Sequence, residues 1–376
     1  MKLAIVHDEL VRKGGAEQVT LLLHKAFPDA PIYTCCYNPE KTYPEFKNCI
    51  VKTSWLNKFV ANEDILKKVF YPLAIWAMKG LDLRGYDVVL ISTTTGAKFV
   101  KISPHSTYIS FCHYPFRLAW FPESYNEVAS AKGIMKVAYA FVISRLKKLD
   151  YKAAKKMNWI ITNTPEIAQI INQCYKPKNK ITIISASIVC DNFYVEQDPT
   201  EDYYLLVSRI EPYKKVDLVI EAFKQMPGKK LIIVGKGSQK DSCYKMAGSN
   251  VQFLENISKE DLAKLYANCK AFIFPQKEDY GLTPIEANAS GRPVIAYGKG
   301  GVTYTTVPYV CDSQKCTSVF FEEQTVSKII KAIELAETLV FNSSFIRKHA
   351  ENFDETSFIN KIRVFVLEKH ALRSTK

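Results

Sequence analysis

Short apolar runs of four or five residues, rich in β-branched and aromatic side chains, recur along nearly the whole chain, and amphipathic stretches of helical period separate them. One series is Lys2 to Val6, Val88 to Ser92, Thr107 to Phe111, Trp159 to Thr162 and Ile181 to Ser185. A second is Tyr204 to Val207, Leu231 to Val234, Val251 to Leu254, Ala271 to Phe274 and Val294 to Tyr297. Between them lie helical patterns such as Val216 to Lys224, Ile257 to Asn268 and Thr325 to Leu339. Strands apolar on both faces belong in sheets covered on both sides, and strands alternating with helices pair in parallel through right-handed crossovers. The pattern predicts an α/β fold with enough strands for two doubly wound sheets. The polar stretch Val189 to Asp202, with Pro199, marks the break between them. Ligands of such sheets bind outside the carboxyl ends of the strands, so a cleft between two domains is the expected site.

Composition narrows the classes further. A chain of 376 residues makes roughly two or three globular units. Its 47% apolar content is too high for disorder, and 15 Gly with 17 Pro exclude a collagen-like chain. The longest apolar runs, such as Ile181 to Cys190, reach about half the length a bilayer span requires. The opening MKLAIVHDEL meets His7, Asp8 and Glu9 too early for a signal peptide and reads as a buried strand. Ten Cys without a CxxC pair suit reduced thiols in a cytoplasmic protein. Charge is uneven: residues 1–190 hold 26 Lys+Arg against 14 Asp+Glu, while residues 191–376 hold 25 against 24. The first half therefore offers a basic surface to an acidic partner.

Three segments carry chemistry. After the first strand, Lys13-Gly14-Gly15-Ala16-Glu17 opens a helix, and two glycines there allow close backbone approach and an anion at the helix start. Glycine turns between strand and helix are also common as plain structure, and neither GxGxxG nor GxxxxGK[ST] is present. After the first strand of the second half, Ser208-Arg209-Ile210-Glu211-Pro212-Tyr213-Lys214-Lys215 places cations that could neutralise a diphosphate, or could form a solvated basic loop. The densest segment runs Phe272 to Glu286, FIFPQKEDYGLTPIE. Thr283-Pro284-Ile285-Glu286 has the form of a capping box with Pro at the first helical position, a structural reading of Glu286. Were Glu278 and Glu286 both helical, eight residues would set them about 12 Å apart along the axis, too far for a glycosidase pair. They suit instead the gripping of two parts of one elongated ligand.

Glu278, seven residues and Glu286, set in ExDYGLxPxE, resemble the E-x7-E signature of the retaining GT-B glycosyltransferases of family 4. GGAE at Gly14 to Glu17 resembles that family's glycine loop, SRIEPYKKVDLVIEAF its phosphate loop, LIIVGKG the following strand, and SGRPVIAYGKGG the stretch after the E-x7-E helix. Phe111 to Arg117, FCHYPFR, is similar to the CHTPxR segment of bacterial polysaccharide mannosyltransferases. The resemblance covers nearly the whole chain. It implies two Rossmann-like domains: an acceptor-binding one of residues 1–190 with the returning residues 353–376, and a nucleotide-sugar-binding one of residues 191–352.

The resemblance also implies roles. Arg209 and Lys214 would bind the donor diphosphate, with Gly14 and Gly15 close to it. Glu278 would hold hydroxyls of the transferred sugar, Glu286 the ribose, and Asn256 and its neighbours the base. Backbone groups of Tyr280, Gly281, Leu282 and Thr283 would contact sugar and phosphate. His113 would lie beside the sugar as an orienting group, with a general base as the competing role, and Arg117 and Trp120 would meet the acceptor. The donor would be GDP-mannose, with UDP-sugars and other GDP-sugars open, and the acceptor a glycan or lipid-linked glycan. Without a DxD sequence, no metal cofactor is expected. Three departures stand out: Lys215 where the family has Gly, Phe121 after Trp120 where it has Asp, and Gly300 to Val307 without the Glu of its GGALETV stretch.

Lys132 to Lys156 holds eight basic residues (Lys132, Lys136, Arg145, Lys147, Lys148, Lys152, Lys155, Lys156) against Asp150, interleaved with apolar ones, and Lys58 to Lys79 is a second mixed stretch. Peripheral contact of 132–156 with an anionic membrane explains both, as does an ordinary surface helix with one core-facing stripe. Nucleic acid is not expected, since no binding motif accompanies the charge. Rivals to the transferase are a nucleotide-sugar epimerase or hydrolase on the same fold, which needs no acceptor, and a basic non-catalytic surface binder with steep salt dependence.

Overall fold

The computed structural model describes residues 1–59, 71–197 and 202–374. Half of the mixed stretch Lys58 to Lys79 (residues 60–70) and residues 198–201 of the expected break, including Pro199, therefore lie outside the described residues.

The chain forms two compact units, Met1–Ala186 with Phe358–Lys376, and Ser187–Ser357. The divisions fall at 186 and 357 rather than at 190 and 352, and the hydrogen bonding supplies the reason. Ile188 pairs with Asp354 as an isolated bridge, Glu355 N–H donates to the Ile188 carbonyl at 2.9 Å, and Cys190 N–H donates to Asp354 Oδ1 at 3.0 Å. The outgoing and returning segments are thus tied into the second unit together. The expected linker is also anchored: Arg347 Nη1 donates to the carbonyls of Cys190, Phe193 and Ala289 at 2.7–3.0 Å.

In the first unit, strands β1 (Leu3–His7), β2 (Ile32–Thr34), β3 (Val51–Thr53), β4 (Val88–Thr93), β5 (Thr107–Cys112), β6 (Trp159–Thr162) and β7 (Thr182–Ile183) form one parallel sheet in the order β3-β2-β1-β4-β5-β6-β7. Every residue of β1, β4 and β5 is buried, which is why their sequences lack alternation. Each fully buried Ile, Leu or Phe on them contributes about 1.5–3 kcal/mol of transfer free energy. The helix Glu355–Ser374 returns Phe358, Ile362, Phe365 and Val366 to this core, and Arg363 Nε donates to the Ala26 carbonyl at 2.8 Å.

In the second unit, β8 (Tyr203–Val207), β9 (Lys230–Val234), β10 (Val251–Leu254), β11 (Ala271–Phe274), β12 (Val294–Tyr297) and β13 (Ser318–Phe321) form a parallel sheet in the order β10-β9-β8-β11-β12-β13. In both sheets the first strand lies beside the fourth, so the connections leave to opposite sides between β1 and β4 and between β8 and β11. Those points carry the loops with the candidate residues. The ten strands expected from the sequence are all present. It missed β2, β3 and β13, of which β2 and β3 have three residues each, too few to show a period.

Candidate active site

At the carboxyl end of β1, Asp8 is buried and faces the loop after β4. It accepts from Thr93 Oγ1 at 2.9 Å, from Thr94 N–H and Oγ1 at 2.6 and 2.9 Å, from Thr95 N–H at 2.9 Å and from Ala97 N–H at 2.6 Å. Burial opposes its charge, yet the neighbouring His7 and the backbone N–H groups hold its carboxyl at about 2. Asp8 therefore ties the loop after β4, the strand that bears Ser92, to the end of β1, which bears His7.

Those strands carry a buried polar chain. His7 Nδ1 lies 3.1 Å from the Ser92 carbonyl and 3.2 Å from Ser92 Oγ, and Ser92 Oγ lies 2.9 Å from His113 Nε2. On the other side, His7 Nε2 lies 3.9 Å from Glu17 Oε1, which is 3.1 Å from Arg12 Nε. Burial lowers the His7 pKa, but the Glu17 carboxylate facing it outweighs burial and leaves the pKa raised. His113 goes the other way: burial and the His7 charge push it down to about 4. It is a neutral imidazole at physiological pH. His7 Nδ1 faces a carbonyl and carries a proton, and Ser92 Oγ bridges the two imidazoles while also facing the Ala16 carbonyl at 3.5 Å.

Gly14 precedes the helix Gly15–Ala26 in an extended conformation. Its constraint is space: a Cβ there would lie 2.5 Å from Glu17 Oε2, whereas a Cβ on Gly15 would meet no atom within 4 Å. Gly15 thus opens the helix start, and Gly14 lets Glu17 fold back towards His7. Arg117 lies 3.9 Å above the Tyr114 ring. Trp120 is half-buried, and its indole N–H points inward. Its Nε1 donates at 2.8 Å to the buried Asp150, which pairs with the buried Lys98 at 2.5 Å, and Lys98 reaches Tyr175 Oη at 3.0 Å. The indole N–H is held inside this network, because a buried pair is costly unless its remaining hydrogen-bonding capacity is met.

In the second unit, the loop after β8 carries Arg209 and Lys214, and the loop after β11 carries Glu278. Lys214 Nζ is ion-paired with Glu278 Oε1, and Gln276 Nε2 donates to the same oxygen at 3.2 Å. Arg209 Nη2 donates to Tyr213 Oη at 2.6 Å. Burial, then the Arg209 charge, pushes Lys214 down to about 8. The adjacent Glu278 carboxylate acts the other way, and Lys214 remains ammonium at neutral pH. Lys215 has φ of +57° and ψ of +32°, the left-handed conformation open to glycine. The turn is kept and a positive charge is added. Asn256, on the loop after β10, is also left-handed, with φ of +54°, and is exposed.

The loop around Glu278 is braced by Gly300 and Gly301. A Cβ on Gly300 would collide with the Glu278 carbonyl and one on Gly301 with the Tyr280 backbone, and Gly301 N–H donates to the Glu278 carbonyl at 2.8 Å. Tyr280 is buried, Gly281 turns with φ of +84°, and the helix Thr283–Ala289 follows. The capping box does not form. Leu282, not Thr283, is the cap, its carbonyl accepts from the N–H groups of Ile285 and Glu286, and Pro284 lies within the first turn. Glu286 instead accepts from Tyr266 Oη at 2.8 Å, and burial raises its pKa although Tyr266 lowers it. The two carboxylates have separate partners.

Sequence reasoning missed His7, Asp8, Ser92 and Tyr266. His7 and Asp8 carry one signal, polar residues ending a buried strand; Ser92 and Tyr266 carry none, being ordinary residues whose neighbours come from distant segments.

Two parallel-sheet units with these loops at their switch points have the fold of the GT-B glycosyltransferases. Residues 192–355 match the family described as glycosyl transferases group 1. The chain is similar to the alpha-1,3/1,6-mannosyltransferase ALG2 of Candida glabrata, 23% identical over 97% of this chain and 90% of that one. It is similar also to the ALG2 of Dictyostelium discoideum, 22% identical over 83% and 86%. Among solved structures, Anabaena Alr3699/HepE in complex with UDP superposes with a TM-score of 0.70 at 16% identity, over 98% of this chain and 100% of that one.

Proposed function

We propose that this chain is a retaining glycosyltransferase that moves mannose from GDP-mannose to a glycan or lipid-linked glycan acceptor. The observation that carries the proposal is the meeting of Arg209, Lys214 and Glu278 on the loops after β8 and β11, in a chain similar along most of its length to mannosyltransferases. Lys214 and Glu278 neutralise each other. A donor diphosphate competes with Glu278 for Lys214, and hydroxyls of the sugar take the place of Lys214 on Glu278. Arg209 and Lys214 then stabilise the charge that develops on the leaving diphosphate. Glu286 binds the ribose, Asn256 lies near the base, and Tyr280 to Thr283 line the sugar.

The acceptor oxygen attacks the anomeric carbon from the face on which the phosphate departs. The carbon–oxygen bond to phosphate breaks with its electron pair on the diphosphate, and a leaving-phosphate oxygen takes the acceptor's proton. His113 is too weak a base for that proton at a pKa of about 4. It acts as a neutral hydrogen-bonding group beside the sugar, with Gly14 and Gly15 at the diphosphate and Arg117 at the acceptor. The positive charge comes from the protein, so catalysis proceeds without a metal. Units Met1–Ala186 with Phe358–Lys376 and Ser187–Ser357 are the acceptor and donor domains respectively. A lipid-linked acceptor implies peripheral attachment to the cytoplasmic side of a membrane; among the described residues no helix is long and apolar enough to cross one.

Calorimetric titration with GDP, UDP and ADP in EDTA tests the reading, followed by turnover of the matching sugar nucleotide. Selective GDP binding, and loss of GDP-mannose turnover in Arg209→Ala and Glu278→Ala, are expected. Near-normal turnover in either variant refutes the roles given, and activity that returns only with added metal refutes the metal-free mechanism. Selective UDP binding overturns the choice of donor.

A further inference from the structure

In the first unit, the helix Gly133–Ala154 leaves most of its first three turns in solvent: Ile134 is 86% exposed, Val137 69% and Phe141 61%. Beside it, on the helix Tyr71–Gly80, Trp76 is 63% exposed. The two helices enclose an apolar groove of about 270 Å³, lined chiefly by Ile75, Trp76, Phe141, Val142, Leu146 and Leu149. Against it lies a second cavity of about 510 Å³, which shares Lys79 and Leu149 and adds Arg84, Lys101, Lys152 and Lys156. Neither lining contains a carboxylate. The helix's one acid, Asp150, is turned inward onto Lys98.

We infer that groove and cavity together seat one anionic membrane lipid, its acyl chain against Trp76 and Phe141 and its phosphate among Lys79, Lys101, Lys152 and Lys156. The inference deepens the peripheral attachment given above and rests on it. The charge selects the occupant. A second copy of this chain would set cation against cation. An acidic peptide or nucleic acid would answer the lysines but leave Ile134, Val137 and Phe141 in water. An anionic lipid answers both, with apolar side chains entering the acyl region and lysines at the phosphates. General adhesion of a basic surface needs no particular lysines, whereas a seat does. Those that line the cavity count for more than equally exposed ones elsewhere on the helix.

The test uses the full chain and sedimentation with phosphatidylcholine vesicles, with and without phosphatidylglycerol. Three variants are compared: Lys101→Gln/Lys152→Gln/Lys156→Gln in the cavity, Lys132→Gln/Lys136→Gln/Lys148→Gln outside it, and Trp76→Ser/Phe141→Ser in the groove. All eight positions are exposed, so the fold is kept. Each lost cation at an anionic surface weakens binding about fivefold. The outside triple shows that loss alone, and the cavity triple is expected to fall at least about tenfold further. The groove variant loses binding even at low salt. Brominated acyl chains quench wild-type fluorescence more than that of Trp76→Phe, and dodecyl phosphate competes where inorganic phosphate does not. Equal losses in the two lysine triples leave only general adhesion and overturn the seat. Equal competition by inorganic phosphate shows a bare anion site. Absence of binding to any vesicle refutes the attachment as well, while the transferase reading stands or falls separately on donor titration.

Discussion

Asp8 offers the sharpest test of how the first unit is held. Its carboxylate gathers three backbone N–H groups and two hydroxyls from Thr93 to Ala97. Its carboxyl is held at about 2 against a usual 3.8, which corresponds to about 2.5 kcal/mol of folding free energy. Asp8→Asn keeps the shape but turns an NH2 towards donors, and is expected to cost about 3 kcal/mol. Asp8→Ala leaves the N–H groups without an acceptor, at about 1–3 kcal/mol each and not additively, for a total of about 3–5 kcal/mol. The lowered pKa fixes the sign with pH. The contribution is full above the unfolded-state value near 3.8 and is lost as pH falls through about 2. All four Trp lie in the first unit, at 55, 76, 120 and 159, so urea unfolding followed by tryptophan fluorescence reports that unit alone. The gap between wild type and Asp8→Asn should close as pH falls from about 5 to about 2. A gap under about 0.5 kcal/mol at neutral pH, or one unchanged by acid, refutes the argument.

Three further outcomes are expected. Donor affinity should weaken as pH rises through about 8, where Lys214 loses its proton; nucleotide titrations between neutral pH and about 9.5 check it, and a flat profile places the diphosphate elsewhere. Ser92→Ala removes the hydrogen bond that orients the His113 ring and should lower kcat about tenfold with little change in donor KM; an unchanged kcat removes the orienting role. Lys215→Gly relieves a left-handed residue and should stabilise the second unit by about 0.5–1 kcal/mol, the αL cost less the extra entropy of glycine, as read in urea by circular dichroism.

Much of the architecture was legible because buried parallel strands advertise themselves. Val88 to Ser92 or Phe272 to Phe274 are apolar without alternation, and only a sheet covered on both faces suits them. Glu286 shows the opposite limit. Its sequence fits a capping box, yet the carboxylate serves Tyr266, twenty residues away, because a motif states which bonds are local and available, not which win once a buried hydroxyl is near. Trp120 is similar, since Asp150 and Lys98, which hold it, arrive from other segments.

The sequence by itself determined the alternation of strand and helix, the parallel sheets, the basic first half and the order of the loops bearing Gly14, Arg209, Lys214 and Glu278. These follow from patterns within a few residues or from summed charge, which the chain carries before it folds. Tertiary structure alone decided that Lys214 meets Glu278, that Ser92 joins His7 to His113, and that a groove and a basic cavity adjoin beside the helix Gly133–Ala154. Hydrogen bonds, ion pairs and pKa shifts depend on separations of a few ångströms between residues distant along the chain, and packing sets those separations.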